Sequence, residues 1–447
     1  MSNSFKILLI LSVVLLILSC NTTEPPPTKP PAPKPEITLA QEDASAIEAW
    51  IKITTTNIQL PTTVTLKKNN TVEKTISLLT QDSVIYIDSL LPKTTYTFQA
   101  LTTADGKETV SNELSVVTMD TTSHNFTFQS WTFGTIGSST LYDVAIIDEN
   151  NIWAVGEILI ADTSQNGYTT YNAVHWDGIS WKLYKLQFYT FCGQPNTGSY
   201  PARAIFAFDK NNIIISSGSQ LTYLNGEIQT KTNCVPVSVN KIWGTSINDL
   251  YIVGKYGNIA HYTNGQWTKI ESGTDKRLTD IYGTMDKDNI WACGWDNNHT
   301  QGIILKIFNS TTNIIWDGIN NNGEYYGFIN TLWTNGGEFW LAGGFVYRQS
   351  ILFSDKGHLI RIPTEYGSKL FDPGNFVLSI RGTEKNNIFL AGDLGMIWHY
   401  NGKSWLKYDE LYSQQLDRRI YGIAAKDNLV VAVGWKNSNS WIIIGRK

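Results

Sequence analysis

The segments "NDLYIVGKYGNIAHYTNGQW" (Asn248–Trp267) and "NNIFLAGDLGMIWHYNGKSW" (Asn386–Trp405) are one phrase written twice. Laid over one another they share Asn, two Gly, Ile, His, Tyr and the closing Trp. Such a repeat constrains the fold strongly, because each copy must be one supersecondary unit that buries its apolar surface against its neighbours. The central strand of the phrase recurs as "NNIWAVG", "NNIIISSG", "NDLYIVG", "DNIWACG", "GEFWLAGG", "NNIFLAG" and "DNLVVAVG". A shorter apolar strand and a polar turn precede each copy, as in "LYDVAI", "KIWGTS" and "LSIRGTE". Several continue into a third strand and an Asn/Asp-Gly turn that ends at Trp, as in "AVHWDGISW" and "IWHYNGKSW". Asn, Asp and Gly take the positive backbone dihedrals of tight hairpins, so each unit predicts four antiparallel strands, a to d.

A four-stranded sheet of this size cannot bury both of its faces alone. Radial stacking covers both, which predicts a β-propeller over residues 126–447. Seven units give seven blades; six or eight stay open, because the second unit ("LTYLNGEIQT") lacks the closing Trp. The last unit ends at "SWIIIGRK", a strand c with no strand d after it. Ahead of the first unit, "FTFQSWTF" places Ser130-Trp131 where Ser180-Trp181 and Ser404-Trp405 open strand d. The start of the repeat region is thus expected to close the ring by pairing with residues 420–447. The region resembles bacterial propeller repeats of the W-G-[ST]…N-D-x-W-x-V-G…H-x-x-G…W type, most closely over 242–267 and 380–405.

Residues 36–118 have a different grammar: short strands of period two, such as "AIEAWIKI", "SVIYIDSL" and "TYTFQALTTA". That pattern predicts a β-sandwich. Leu90, Pro92, Thr94 and Tyr96 resemble the Leu-x-Pro-x-Thr-x-Tyr signature of fibronectin type III domains. The resemblance implies a corner in which the Tyr96 hydroxyl bonds back to the backbone, and a core filled by Trp50. The chain as a whole therefore reads as all-β.

The amino terminus gives an address. Lys6 precedes the apolar run "ILLILSVVLLILSC", too short to span a bilayer and matching a signal-peptide core at 1–19. Ile17-Leu18-Ser19-Cys20 resembles a bacterial lipobox, which implies cleavage before Cys20 and lipidation of that residue. Residues 20–35 hold seven prolines and form an extended linker, at about 3.1 Å per residue. Cys192 and Cys234, in loops of adjacent units, are then exposed to an oxidising compartment and are expected to pair around the weakest unit. Cys293, in strand b, is expected to be a buried inert thiol.

Charge excludes some classes of function. Charged residues are 17% of the chain, the formal net charge is -4, and Lys and Arg are scattered. No basic face for nucleic acid follows from that distribution. His175, His261 and His399 share one repeat position in separate units, so they predict a structural role and no metal site. Asp148, Asp249, Asp288 and Glu338 repeat in the a–b turns and read as turn formers. The sequence departs from a sialidase pattern: "VHWDGISW" keeps the Gly and Trp of an Asp-box but misplaces the Asp, and the Arg361-Ile-Pro triplet falls in the fifth unit rather than at the start of the domain.

Two features point to binding. Connections at 157–172, 188–201, 295–301, 310–327, 363–375 and 409–418 are long and emerge on one propeller face, where loops on a rigid scaffold carry function. One strand-a position carries Trp243, Tyr282, Trp333, Arg381 and Tyr421 (with Ala145 and Phe206), a candidate ligand ring around the tunnel, although inter-blade packing also accounts for it. The expectation is a monomeric, non-enzymatic, lipid-anchored binding or scaffolding protein of the bacterial envelope. It would meet a protein or glycan partner and use no cofactor or metal. The alternative is a propeller-type glycan-active enzyme, a sialidase-like hydrolase or lyase.

Overall fold

The computed structural model describes residues 34–104, 106–298, 300–318, 328–350 and 374–447. Cys20, the segment 1–19 expected to be a signal peptide, most of the Pro-rich linker and Arg361 lie outside the described residues.

Eight strands form the amino-terminal unit: β1 (Glu36–Ala44), β2 (Ala49–Thr56), β3 (Thr62–Lys68), β4 (Thr71–Leu78), β5 (Asp82–Ile87), β6 (Thr95–Ala104), β7 (Lys107–Val110) and β8 (Leu114–Val117). They make one sheet of order β1-β2-β5 and a second of order β4-β3-β6-β7, with β8 also on β6. Alternate residues such as Ile51, Ile53, Val64, Leu66 and Phe98 meet between the two sheets as a single core. The Tyr96 hydroxyl accepts a 2.8 Å hydrogen bond from the Leu91 amide, folding the turn back on the strand.

Trp50 departs from expectation. Ala49, Ile51 and Ile53 of the same strand join the core, so strand alternation sends Trp50 to the opposite face. It is nevertheless only 1% exposed. Tyr86 packs against its ring at 5.4 Å, and the Lys385 ammonium from the propeller lies 5.4 Å above it. The tryptophan caps the sandwich where it meets its neighbour.

Residues 127–446 carry six four-stranded sheets and one that is three-stranded among the described residues. Their first strands are Thr140–Asp148, Ile205–Asp209, Lys241–Ser246, Arg277–Gly283, Ile329–Thr334, Val377–Glu384 and Arg418–Lys426. Each touches the next, and the last touches the first, so they enclose a central tunnel. This is a β-propeller. Its apolar clusters straddle neighbouring sheets: Val253, Ile259, Ile281 and Leu305 belong to one, and Phe389, Ile397, Ile423 and Val430 to another.

The repeated glycine at the end of strand b has a local cause. In five sheets strand a bulges, at Tyr142, Thr279, Asn330, Leu378 and Tyr421. The bulge presses a strand-a carbonyl onto the glycine. A Cβ on Gly156, Gly294, Gly343, Gly392 or Gly434 would lie 1.8–2.1 Å from that oxygen, so no other residue fits.

The ring closes through β9 (Thr127–Phe133), which pairs antiparallel with Asn439–Arg446 from Arg446↔Thr127 to Ser440↔Phe133. Trp131 then packs on Trp176 and Trp181 of the first sheet, at 5.7 and 5.8 Å. Cys192 and Cys234, 42 positions apart in sequence, are joined by a disulfide with Cα atoms 5.9 Å apart. Cys234 ends the outer strand Ile228–Cys234 of the second sheet and is not part of the following connection. One of the expected long loops is largely strand, and another begins as strand. Ile158↔Tyr171 to Ala161↔Tyr168 extends the hairpin through 157–172, and Thr311–Asp317 is the outer strand of the fourth sheet. Within 188–201, Phe188–Tyr189 and Thr197–Gly198 pair as a small hairpin.

The sandwich is bolted to the fifth and sixth sheets. Arg348 donates from Nη1 to Glu48 Oε2 at 2.8 Å and from Nη2 to Oε1, while Ser45 and Tyr86 hydroxyls fill the carboxylate's other sites at 2.8 and 2.7 Å. Burial alone would raise the Glu48 pKa, but the Arg348 charge and hydrogen bonds hold it below the usual value. Lys385 pairs with Asp43 beside it. The connecting segment 119–126 runs over the sixth sheet, where the Asp120 carbonyl accepts from Asn386 at 2.8 Å and the Thr122 amide donates to Asn401 O at 3.1 Å.

Two outcomes follow from these contacts. Arg348→Met leaves the Glu48 carboxylate buried without its cation, a loss of about 3–5 kcal/mol. We expect proteolytic cleavage between the two units to accelerate and the solution dimensions to grow; unchanged proteolysis would show the pair to be dispensable. Deleting 126–133 should expose the edge of Asn439–Arg446 and cause self-association, visible as a rising mass by light scattering. A monomeric deletion variant of normal stability would mean that the ring is held by other contacts.

Candidate ligand site in the central cavity

The expected ring of strand-a residues comes together in part: Ala145, Phe206, Trp243, Tyr282 and Arg381 line one small cavity, and Trp333 and Tyr421 do not. Trp243 and Trp333 are 3% and 2% exposed. Their rings lie against glycines of the next sheet, Gly283 and Gly382, where an added Cβ would meet them at 2.9 and 3.1 Å. They are inter-blade wedges. Tyr282 is half-buried and lines the inner cavity with Trp243. Tyr421 does not share the register of Arg381: Arg381 faces Phe389, and the residue in the corresponding place of the last sheet is Ala424, facing Val431. The triplet Ile380-Arg381-Gly382 is echoed by Ile420-Tyr421-Gly422, but three residues nearer the start of its strand, so Tyr421 occupies the bulge as Leu378 does in the sixth sheet and lines a different part of the tunnel.

Arg381 is buried and fully engaged. Its Nη1 and Nη2 donate to Asp280 Oδ2 and Oδ1 at 2.9 and 2.8 Å, and Nη1 also donates to the Leu332 carbonyl at 3.0 Å. Burial would raise the Asp280 pKa, yet the Arg381 charge and hydrogen bonds hold it below the ordinary carboxylate range. One step along the same ring, Lys241 donates to Asp143 at 2.6 Å, and Asp143 also accepts from the Ile205 amide at 3.0 Å. Two ion pairs thus cross the tunnel at mid-height and divide it. On one side is a cavity of about 230 Å³ lined by Ala145, Phe206, Trp243 and Tyr282.

On the other side, where the d–a and b–c connections emerge, lies a larger cavity of about 620 Å³. The five bulge residues Tyr142, Thr279, Asn330, Leu378 and Tyr421 all line it, with Trp295, Phe328, Phe345 and Phe376 at its rim. Four of the chain's eight arginines also line it: Arg203, Arg277, Arg381 and Arg419. Arg419 is neutralised by Asp393 at 2.6 Å, and burial raises the Asp393 pKa. Arg203 lies 4.4 Å over the Tyr142 ring and Arg277 lies 5.6 Å over Trp295. Sequence reasoning missed both. The available signal was the placement of scarce arginines at strand-a starts ("PARAIF", "DKRLTD", "DRRIYG").

The repeated histidines have one explanation. His175, His261 and His399 stack on Trp153, Tyr251 and Phe389 at 4.3, 4.0 and 4.4 Å. Each Nε2 pairs with the first side chain of strand b: Asn151 at 2.9 Å, Asp249 at 2.7 Å and Asn387 at 2.9 Å. Each is a local clamp between strands b and c. Among the described residues no group of three or more His, Cys, Asp or Glu is placed to hold a metal ion. Cys293 is buried and free, and burial raises its pKa.

No protein-family model matches the chain, and no curated protein matches it in sequence. Solved structures resemble it in shape. YCF48 bound to a D1 peptide is 13% identical with a TM-score of 0.49, covering 72% of this chain and 97% of its own. The WD40 propeller domain of Doa1 is 11% identical with a TM-score of 0.47, covering 72% and 98%. A quinoprotein alcohol dehydrogenase-like protein from Bacteroides thetaiotaomicron is 7% identical with a TM-score of 0.36, covering 91% and 95%. These likenesses concern the fold alone, and the reading of the site rests on this chain's own residues.

The His399 clamp generates a pH prediction. Burial, then the nearby His124 charge, lowers the His399 pKa from 6.5 to about 3. Its neighbours are His124 Nδ1 at 2.9 Å, Tyr408, and Lys447. As pH falls below about 6.5 the unfolded chain binds a proton there that the folded chain refuses, so stability is lost progressively down to about pH 3. The loss from this group at pH 5 is up to about 2 kcal/mol. Thermal melts of the native chain and of His399→Gln between pH 7 and 5 should show a shallower slope in the variant; equal slopes would refute it.

Proposed function

We propose that this chain is a lipid-anchored binding or scaffolding module of the bacterial envelope, and not an enzyme. A fibronectin type III-like sandwich spaces and braces a seven-bladed propeller, and the propeller offers its loop-face cavity to a protein partner. The strand order of the sandwich and the Tyr96 corner support the first part. Seven inner strands in a closed cycle of contacts support the second. The lipobox at Cys20 supports the anchor.

The observation that carries the binding reading is the use made of charge in the tunnel. Asp143, Asp280 and Asp393, the carboxylates lining the cavity, are each tied to a cation. The Arg381 charge holds Asp280 ionised, which makes it a poor general acid, and Asp393, whose pKa burial raises, is held beside Arg419. The walls are rigid strands and the rim is aromatic, which suits recognition by shape and stacking. A protein partner fits better than a glycan, because Asn240 and Asn330 spend their amides on the Leu278 and Leu378 carbonyls, at 2.7 and 2.8 Å, and so offer few free groups to sugar hydroxyls.

Three measurements test the reading together. A clickable fatty acid should label the chain in cells and fail to label Cys20→Ala. The mature chain should bind members of a peptide library and give no turnover on a panel of glycosides. Glycoside cleavage that survives purification would replace the binding reading with the glycan-active one.

A further inference from the structure

The loop-face cavity holds two guanidinium groups that the protein itself leaves uncompensated. Among the described residues neither Arg203 nor Arg277 has a carboxylate within ion-pairing distance, whereas Lys241, Arg381 and Arg419 in the same cavity each have one. The Arg277 Nε is buried and has no hydrogen-bond partner. Burial first, and then the like charge of Arg203, lowers the pKa of Arg277, so the two groups feel one another. Two like charges without a carboxylate in a partly dry cavity are unfavourable, and their stacking on Tyr142 and Trp295 offsets that only in part. An anion placed between them removes the strain and satisfies the idle donor.

The rest of the lining selects the body that carries this anion. Trp295, Phe328, Phe345, Phe376 and Leu378 form an apolar wall. The polar side chains beside them are already committed. Asn330 Oδ1 accepts from Trp295 Nε1 at 3.0 Å, and the Thr279 hydroxyl donates to the Asn330 carbonyl at 2.7 Å. A polyhydroxylated ligand would lose hydrogen bonds on entering, but an apolar one would not.

We propose that Arg203 and Arg277 form a binding site for a carboxylate carried on an apolar or aromatic body, such as the free carboxyl end of a peptide with apolar last residues. The two guanidinium groups take the carboxylate, and the aromatic wall takes the side chains next to it. This proposal deepens the binding reading of the same cavity and rests on it.

The test uses the full mature chain and two probes, N-acetyl-Phe-Leu as its free acid and as its amide, followed by calorimetry. We expect the acid to bind, the amide to bind at least tenfold more weakly, and the affinity to fall as salt is raised. Arg203→Gln and Arg277→Gln should each weaken binding of the acid tenfold or more, while the melting temperature changes little, because each removes one of two half-buried like charges along with its stacking contact. Equal binding of acid and amide, or binding of neither, overturns the proposal. So does tight binding of inorganic phosphate at the acid's affinity, since that would assign no part to the apolar wall. A sharp fall in melting temperature for both variants also overturns it, because the arginines would then be structural. If library peptides still bind the double variant at full strength, the carboxylate site fails but the binding reading stands.

Discussion

Seven residues hold the ring shut. The pairing of Thr127–Phe133 with Asn439–Arg446 joins segments more than 300 positions apart in the chain, and every other feature of the propeller depends on it. Apolar faces are covered only because each sheet has a neighbour on both sides, and the last sheet has the first as its neighbour. The tunnel exists only if the cycle of inner strands is complete. Closure also dictates where the sandwich must sit. The segment 119–126 leads directly into β9, so the sandwich emerges beside the seventh sheet and settles on the fifth and sixth. A short tether and a buried Glu48–Arg348 pair fix one domain upon the other, so the sandwich is a brace as well as a spacer.

Much of this was legible in residues. The repeated Asn-Gly and Asp-Gly turns and the closing Trp gave the four-stranded unit, and Ser130-Trp131 gave the closing strand. The glycine of strand b was visible too, although its cause, the bulge in strand a, was not. Tyr421 was misplaced because its Ile-Tyr-Gly triplet repeats those at Tyr282 and Arg381 but lies three residues nearer the start of its strand, on the bulge itself. Trp50 was misplaced for a related reason. A resemblance assigns a tryptophan to a strand, but only alternation with Ala49 and Ile51 decides which face it takes, and a second domain can bury the outer face as thoroughly as a core.

The site was the least legible part. Arg381, singled out from the sequence, proves to be bound by Asp280, a residue 101 positions away. Arg203 and Arg277 attracted no notice, because an arginine at a strand start is usually a solvated one. What distinguishes them is a missing partner, and a missing partner is visible only once the neighbours are in place. The histidines read as structural from their shared repeat position in separate units, and each stacks on its own strand-b aromatic within its own sheet.

The bulges have a consequence for how such a protein changes over time. A residue in the regular ladder answers to its cross-strand partners and to the apolar layer beneath it, so most replacements there disturb the sheet. Tyr142, Thr279, Asn330, Leu378 and Tyr421 stand outside that ladder and face the cavity. Tyr142, Leu378 and Tyr421 can therefore exchange side chains without breaking the ladder, whereas Thr279 and Asn330 also tie neighbouring sheets through the Asn330 and Leu378 carbonyls. The fold separates the part that must be conserved for assembly from the part that sets taste, and lineages sharing this architecture can acquire new ligands by drift at the rim, one side chain at a time.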